Sequence, residues 1–232
     1  MILLGAVVNG AAIFAGALLG MLLKRGLPEK IKESLLHGLA LCVIYIGIAG
    51  SLKGENAVIA VGSIVAGVLL GEWLNFDLKF QRFGDFLQSR FAGKSAASGK
   101  NTFAEGFISS SLVFCVGAMA IVGSLQSGMN GNHEILFAKA VIDGVFALVM
   151  ASTLGGGVFF SALPVFLYEG TLTLLANLIA AMVAPDVLAE MTCAGSLLII
   201  AIGTNMMKIT NIRVANFILV PFVPIFLLYI LR

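Results

Sequence analysis

Residues 2–23, ILLGAVVNGAAIFAGALLGMLL, run through twenty-two positions without an acidic or basic side chain. A helix needs about 20 mostly apolar residues to cross the hydrocarbon core of a bilayer, so this stretch reads as a membrane span. No basic residue stands ahead of it, and no small-residue cleavage site leads from it into a soluble chain. It is expected to be a retained span rather than a signal peptide. Seven similar stretches follow, at roughly 36–52, 57–76, 104–125, 135–154, 156–183, 188–207 and 213–231. The composition agrees: 59% of the 232 residues are hydrophobic and 11% are charged, against about 25% charged in an ordinary soluble domain. The mean hydropathy is +1.05. A water-soluble protein of this size needs more polar side chains to cover it, and a net charge of +2 lacks the basic excess that phosphate contacts demand. The expectation is an all-α, multi-pass membrane protein with about eight transmembrane helices. A soluble enzyme, a disordered chain and a nucleic-acid binder do not fit.

Lys and Arg counts in short loops set orientation. Lys24, Arg25, Lys30 and Lys32 lie between the first and second stretches. Lys79, Arg82, Arg90, Lys94 and Lys100 lie between the third and fourth, and Lys208 and Arg213 between the seventh and eighth. Only Lys53 and Arg232 fall on the other side. A bias of eleven to two puts the three basic loops in the cytoplasm and both termini outside. Within 77–103, Phe76, Phe80, Phe83, Leu87 and Phe91 step by three or four residues onto one face. This predicts an amphipathic helix on the cytoplasmic surface, followed by a short flexible linker over 93–101.

Two internal similarities bear on organisation. Residues 39–52, LALCVIYIGIAGSL, share seven of fourteen positions with 112–125, LVFCVGAMAIVGSL. Residues 28–38, PEKIKESLLHG, match 185–195, PDVLAEMTCAG, at Pro, Glu and Gly. The second match pairs stretches one to three with stretches six to eight in opposite orientation, the arrangement of many secondary transporters. The alternative is chance resemblance between apolar, Gly-rich segments. On this division 1–76 is a first three-helix repeat, 77–103 the surface helix and linker, 104–154 a central pair, and 155–232 a second repeat.

Charged groups inside a bilayer are costly and therefore candidate sites. Lys139 and Asp143 are four residues apart on one helical face, with Ser152 and Thr153 further along. They are either a structural ion pair or an ion or proton site in which Asp143 is the carrier or a Na⁺ ligand. Gly155, Gly156, Gly157, Ser161, Pro164, Tyr168 and Glu169 follow. Consecutive glycines weaken a helix and Pro removes a donor, so a broken helix is expected near Gly155–Gly157 and Pro164, with freed carbonyls facing protein or a wet cavity. The alternative role for such glycines is close helix packing, as in Gly16/Gly20 and Gly67/Gly71. Ser110 and Asn205 would complete an oxygen-rich midplane site, although Ser in membrane helices often bonds its own backbone. Cys42, Cys115 and Cys193 each stand alone in apolar runs, without metal-type spacing.

No hydrolase, metalloprotease or nucleotide-binding motif occurs, so an enzyme is not expected. The leading reading is a secondary transporter coupled to Na⁺ or H⁺, acting on an unidentified small solute or ion and forming a homodimer in the bilayer. It requires no cofactor beyond Na⁺ as coupling ion. A channel or passive pore, and a structural or regulatory membrane protein, are the alternatives.

Three stretches carry a family resemblance: LVFCVGAMAIVGSLQSG, KAVIDGVFALVMASTLGGGVFFSALPVFLYEG and GSLLIIAIGTNMMKITNIRVANFILV, with the opening GAVVNGAAIFAGALLGMLLKRGLPE. Across essentially the whole chain the sequence resembles the domain of unknown function 554 family of bacterial integral membrane proteins. The resemblance implies a small multi-pass protein of the bacterial inner membrane with a transport role. Lys139, Asp143, Ser152, Gly155 and Pro164 match the family pattern. Glu169 departs from it, Gln being usual there, and Ser127 stands where related sequences often carry an acid. The departures favour Asp143 over Glu169 as proton carrier.

Overall fold

The computed structural model describes residues 1–24, 28–91, 100–116, 118–180 and 183–231. These form helices and no strand. In chain order they are α1 (Leu4–Lys24), α2 (Glu29–Ser51), α3 (Ala57–Leu74), α4 (Phe76–Phe91), α5 (Lys100–Cys115), α6 (Ala118–Asn130) and α7 (Glu134–Leu154). There follow α8 (Gly157–Phe160), α9 (Ala162–Leu174), α10 (Ala176–Ala180), α11 (Pro185–Met206) and α12 (Val223–Leu231), the last preceded by 3₁₀ turns at Val214–Phe217 and Val220–Phe222. The ends follow local chemistry. Pro185 opens α11 where its missing N–H is no loss. The Asn56 side chain accepts from the Val58 N–H at 2.9 Å to cap α3. Gly155, at φ 88°, terminates α7 in a conformation that disfavours a Cβ.

Six segments are individually long and apolar enough to cross a bilayer: Leu4–Leu23, Glu33–Ser51, Ala57–Leu74, Glu134–Leu154, Gly157–Leu174 and Pro185–Met206. α5 and α6 meet at a 58° bend, and helix contacts identify the pair as a single passage. A Cβ on Gly106 would touch Leu154 at the end of α7, and one on Gly123 would meet Ile135 and Leu136 at its start. The bent pair therefore runs antiparallel to α7 along its whole length. α1 runs parallel to α7, with Gly5 against Leu136, Gly16 against Gly144 and Gly20 against Leu148. That direction requires an odd number of passages between them, which α2, α3 and α5–α6 supply. The shorter apolar stretch Val214–Ile230 lies antiparallel along α3, Asn216 at Gly71 and Leu227 at Gly62. Among the described residues six helices are thus of full spanning length, the bent α5–α6 pair is a seventh candidate, and Val214–Ile230 is a shorter apolar segment.

Core packing centres on α11, whose most apolar window is 72% buried, whereas α3, at 22%, is peripheral. Ile13, Phe107, Met150 and Ile202 join α1, α5, α7 and α11 in the largest buried cluster. The small-residue pairs behave as close contacts: Gly16, Gly20 and Gly71 each face a backbone carbonyl, of Gly144, Leu148 and Asn216 respectively, and Gly67 faces Val220.

Several expectations shift in detail. The break expected near Gly155–Gly157 is the turn from α7 to α8 at the end of the bundle. Pro164 lies in the first turn of α9, where it costs no intrahelical bond, so the irregularity in this span falls at Ser161 instead. The stretch expected over 156–183 stops at Leu174 and continues as the short α10. Most of the expected 93–101 linker lies outside the described residues. The 39–52 and 112–125 sequences, half identical, differ in structure. The former lies within continuous α2, and the latter is divided between the end of α5 and the start of α6. By contrast, Pro28 and Pro185 each open a helix, and those two helices, α2 and α11, pack antiparallel, with Gly47 against Ile200 and Gly203 against Ile44.

Candidate functional site

Four polar side chains meet where α1, α7 and α9 converge. Lys139 Nζ pairs with Asp143 Oδ2 one turn along α7 and lies 3.5 Å from Glu169 Oε1 on α9. Asn9 of α1 donates through Nδ2 to both carboxylates, at 3.1 Å to Asp143 Oδ2 and 2.7 Å to Glu169 Oε1. All are buried: Asn9 and Glu169 are 0% exposed, Lys139 5% and Asp143 6%. α1 reaches Asp143 because Gly16 and Gly144 let the two backbones touch.

The cluster holds one ammonium for two carboxylates, and two of its buried oxygens, Glu169 Oε2 and Asn9 Oδ1, have no hydrogen-bond partner. An uncompensated buried charge is expensive. The arrangement has room for one further positive charge, as a proton or a monovalent ion held by carboxylate and amide oxygens. Among the described residues no three acidic, His or Cys side chains group as a metal site, and a divalent ion usually gathers more carboxylates. Asn9, Lys139 and Glu169 each stand five residues from the end of their helix, about 8 Å at 1.5 Å per residue. The cluster therefore lies in the half of the bundle nearer the N-terminus, displaced from the expected midplane.

Three cavities line up across the bundle. Lys139 and Asp143 form part of the wall of a 310 Å³ lateral groove that also includes Lys53, Phe114 and Ser196. Val116 and Thr192 line both this groove and a 200 Å³ interior cavity. Ile108 in turn lines both the interior cavity and a 430 Å³ polar vestibule at the opposite end, beside Asp77, Glu105 and Asn205. In that vestibule partial burial holds the Asp77 carboxyl above its ordinary range; Arg213 pulls it down and Glu72 pushes it further up.

The structure brings Lys139, Asp143 and Glu169 together and leaves the other candidates elsewhere. Ser110 Oγ donates to Gly106 O at 2.6 Å, Ser152 Oγ to Val149 O at 2.7 Å, Thr153 Oγ1 to Met150 O at 3.0 Å and Ser161 Oγ to Val158 O at 2.6 Å. Each hydroxyl is spent on its own backbone. Ser152 and Thr153 lie about 14 Å along α7 from Asp143. Gly155 and Gly156 serve the α7–α8 turn, and Gly157 lets α8 touch the Phe103 carbonyl. Asn205 braces the loop after α11, accepting from Ile212 N at 2.9 Å and donating to Ile212 O at 2.7 Å, and is not part of the charged cluster.

Asn9 and Glu190 are buried polar residues that the sequence analysis does not single out. Asn9 is a bridging member of the cluster, and its signal was a lone amide in an otherwise apolar span. Glu190, 3% exposed, accepts from the backbone N–H groups of Glu55 and Asn56 at 2.7 and 2.8 Å and so fastens the α2–α3 loop to α11.

The chain is similar to the "Uncharacterized membrane protein YdfK" of Bacillus subtilis (strain 168), 26% identical over 97% of this chain and 96% of that protein. It is also similar to the "Uncharacterized protein YqgA" of Escherichia coli (strain K12), 28% identical over 92% of this chain and 91% of that one. No solved structure matches it. The model of one family, described as "Protein of unknown function (DUF554)", matches residues 4–229. With that match running almost from end to end, over an all-helical membrane protein, the chain belongs to the DUF554 family.

Proposed function

We propose that this protein is a secondary transporter coupled to a monovalent cation, H⁺ or Na⁺, taken up at the Asn9–Lys139–Asp143–Glu169 cluster. One observation carries this reading: two carboxylates share one ammonium in a buried site that borders a cavity. Binding of a single positive charge neutralises the cluster, and its release leaves an excess negative charge that favours rearrangement. Such coupling needs two states with different affinity for the ion. The cavities on either side of Ile108 and of Val116 with Thr192 support gated rather than open passage, which favours a carrier over a fixed pore. The antiparallel contacts α1–α9, α2–α11 and α3–α12 are of the kind an inverted repeat would make and support that reading. In this reading the N-terminus and the cluster face the outside of the bacterial inner membrane, and the vestibule faces the cytoplasm.

The test is ion response in purified protein and liposomes. Asp143→Asn should abolish Na⁺-dependent thermal stabilisation, or proton uptake if H⁺ is the coupling ion. A variant that responds to both ions as the parent does would eliminate the cluster as the coupling site.

A further inference from the structure

We propose that the 200 Å³ interior cavity is a binding site for a small, uncharged, largely apolar molecule with a single hydrogen-bonding group. That such a molecule is also transported rests on the carrier reading above; that it binds does not.

The cavity lies beside the α5–α6 bend and is lined by residues of both halves, with α9, α11 and the 3₁₀ turns before α12 contributing the rest of its wall. None of its lining residues is exposed. None is charged, and apolar groups such as Leu112, Ile121, Met191 and Phe222 dominate. An ionised ligand would lose its hydration there without gaining a counter-charge. Lys139, Asp143 and Glu169 are not among the lining residues. The volume sets size: an apolar cavity of about 150 Å³ holds benzene, so 200 Å³ suits one ring with a short substituent.

The polar handle is Ser111. Its neighbour Ser110 donates to Gly106 O, as Ser152, Thr153, Ser161 and Thr192 donate to carbonyls three or four residues back. Ser111 Oγ is buried, lines the cavity and has no hydrogen-bond partner. A buried hydroxyl without a partner is unfavourable, and a ligand hydroxyl or carbonyl would satisfy it. Thr192 Oγ1 donates to Leu188 O at 2.7 Å and keeps acceptor capacity on the same wall.

The position of the cavity gives such a ligand a route. Ile108 lines both it and the polar vestibule, and Val116 and Thr192 line both it and the lateral groove beside the charged cluster. Phe80 of α4 lines the cavity too and packs on Phe107, ring centroids 6.3 Å apart, so the surface helix contributes to its floor.

The test uses fluorine NMR on full-length protein in lipid nanodiscs with 4-fluorobenzyl alcohol as probe. A bound resonance distinct from the free and lipid-partitioned signals is expected, and 4-fluorobenzoate and 4-fluorobenzylamine should give none. Ser111→Ala should weaken binding of the alcohol about five- to tenfold, the loss of one hydrogen bond, while leaving 4-fluorotoluene unaffected. Ala215→Leu, which fills the cavity from the 3₁₀ turn, should remove both. Absence of a bound signal in the parent, equal binding of the charged probes, or indifference to both substitutions would overturn the assignment. Asp143→Asn should still bind the alcohol. If the parent binds the probe yet shows no ion response, the carrier reading falls and the binding site stands.

Discussion

The Asn9 amide donates to two carboxylates carried by different helices, so α1, α7 and α9 share one polar joint. Its components are unequal. Lys139 supplies the only positive charge in the cluster, and removing it as Lys139→Met leaves two acids facing each other in a buried site. Loss of one member of such a group typically costs about 3–5 kcal/mol, so a large fall in thermal stability in detergent is expected. Glu169→Gln should do the opposite. It removes the unbalanced charge, keeps an oxygen acceptor for Asn9 and an amide of equal size, and should hold or raise stability while blunting the ion response. An equal loss of stability in both variants would show that charge balance does not govern the site. Lys139, Asp143 and Glu169 were legible in the sequence because ionised groups are rare within spans. Asn9 was not, since one amide among apolar residues looks like many others until its partners are known. Ser110, Ser152, Thr153 and Ser161 misled because sequence does not say whether a hydroxyl points at a site or at its own carbonyl.

At the scale of helices, glycine decides which pairs can touch. Gly16 faces the Gly144 carbonyl across α1–α7, whereas Gly38 on α2 has no atom near the place of a Cβ. Gly16→Val should therefore push α1 off α7 and lower stability by at least the roughly 1–3 kcal/mol of ordinary overpacking. It should also impair the ion response, since Asn9 moves with the helix. Gly38→Ala should be neutral or stabilising by up to about 1 kcal/mol through helix propensity. Thermal unfolding of the two variants side by side checks both. The sequence exposed the spacing of Gly16/Gly20 and Gly67/Gly71 but not their partners. The Gly155–Gly157 triplet suggested a break within the membrane; it proved to be a turn at the bundle end because Gly155 ends α7 and Gly157 needs only to clear Phe103. Distance along the chain hid this, as Phe103 stands near the start of α5 and Gly157 follows only after α6 and α7.

For the whole molecule, the proposed orientation puts the basic loops in the cytoplasm and both chain ends outside. A membrane-impermeant maleimide applied to intact cells should label Lys53→Cys, in the α2–α3 loop, and spare Ile209→Cys, after α11, until the cells are permeabilised; both positions are exposed. The reverse pattern would invert the assignment of outside and inside. The expected eight stretches compare with six helices of spanning length and a seventh bent candidate among the described residues; the all-helical, multi-pass character was legible because hydropathy is a property of local sequence. The bend between α5 and α6 was not, nor was the way three cavities line up behind it, since these depend on which helices meet. The parallel contact of α1 with α7 also has a consequence for biogenesis. α1 enters the membrane first, yet its partner follows more than a hundred residues later. Lys139 and Asp143 reach the bilayer as a self-neutralising pair one turn apart, so α7 can be inserted before it packs on Asn9 of α1. Glu169 arrives last of the four, without a neighbouring cation on its own helix. The cluster is therefore completed only when α9 docks, and a stalled chain truncated before α9 should already hold α1 and α7 together.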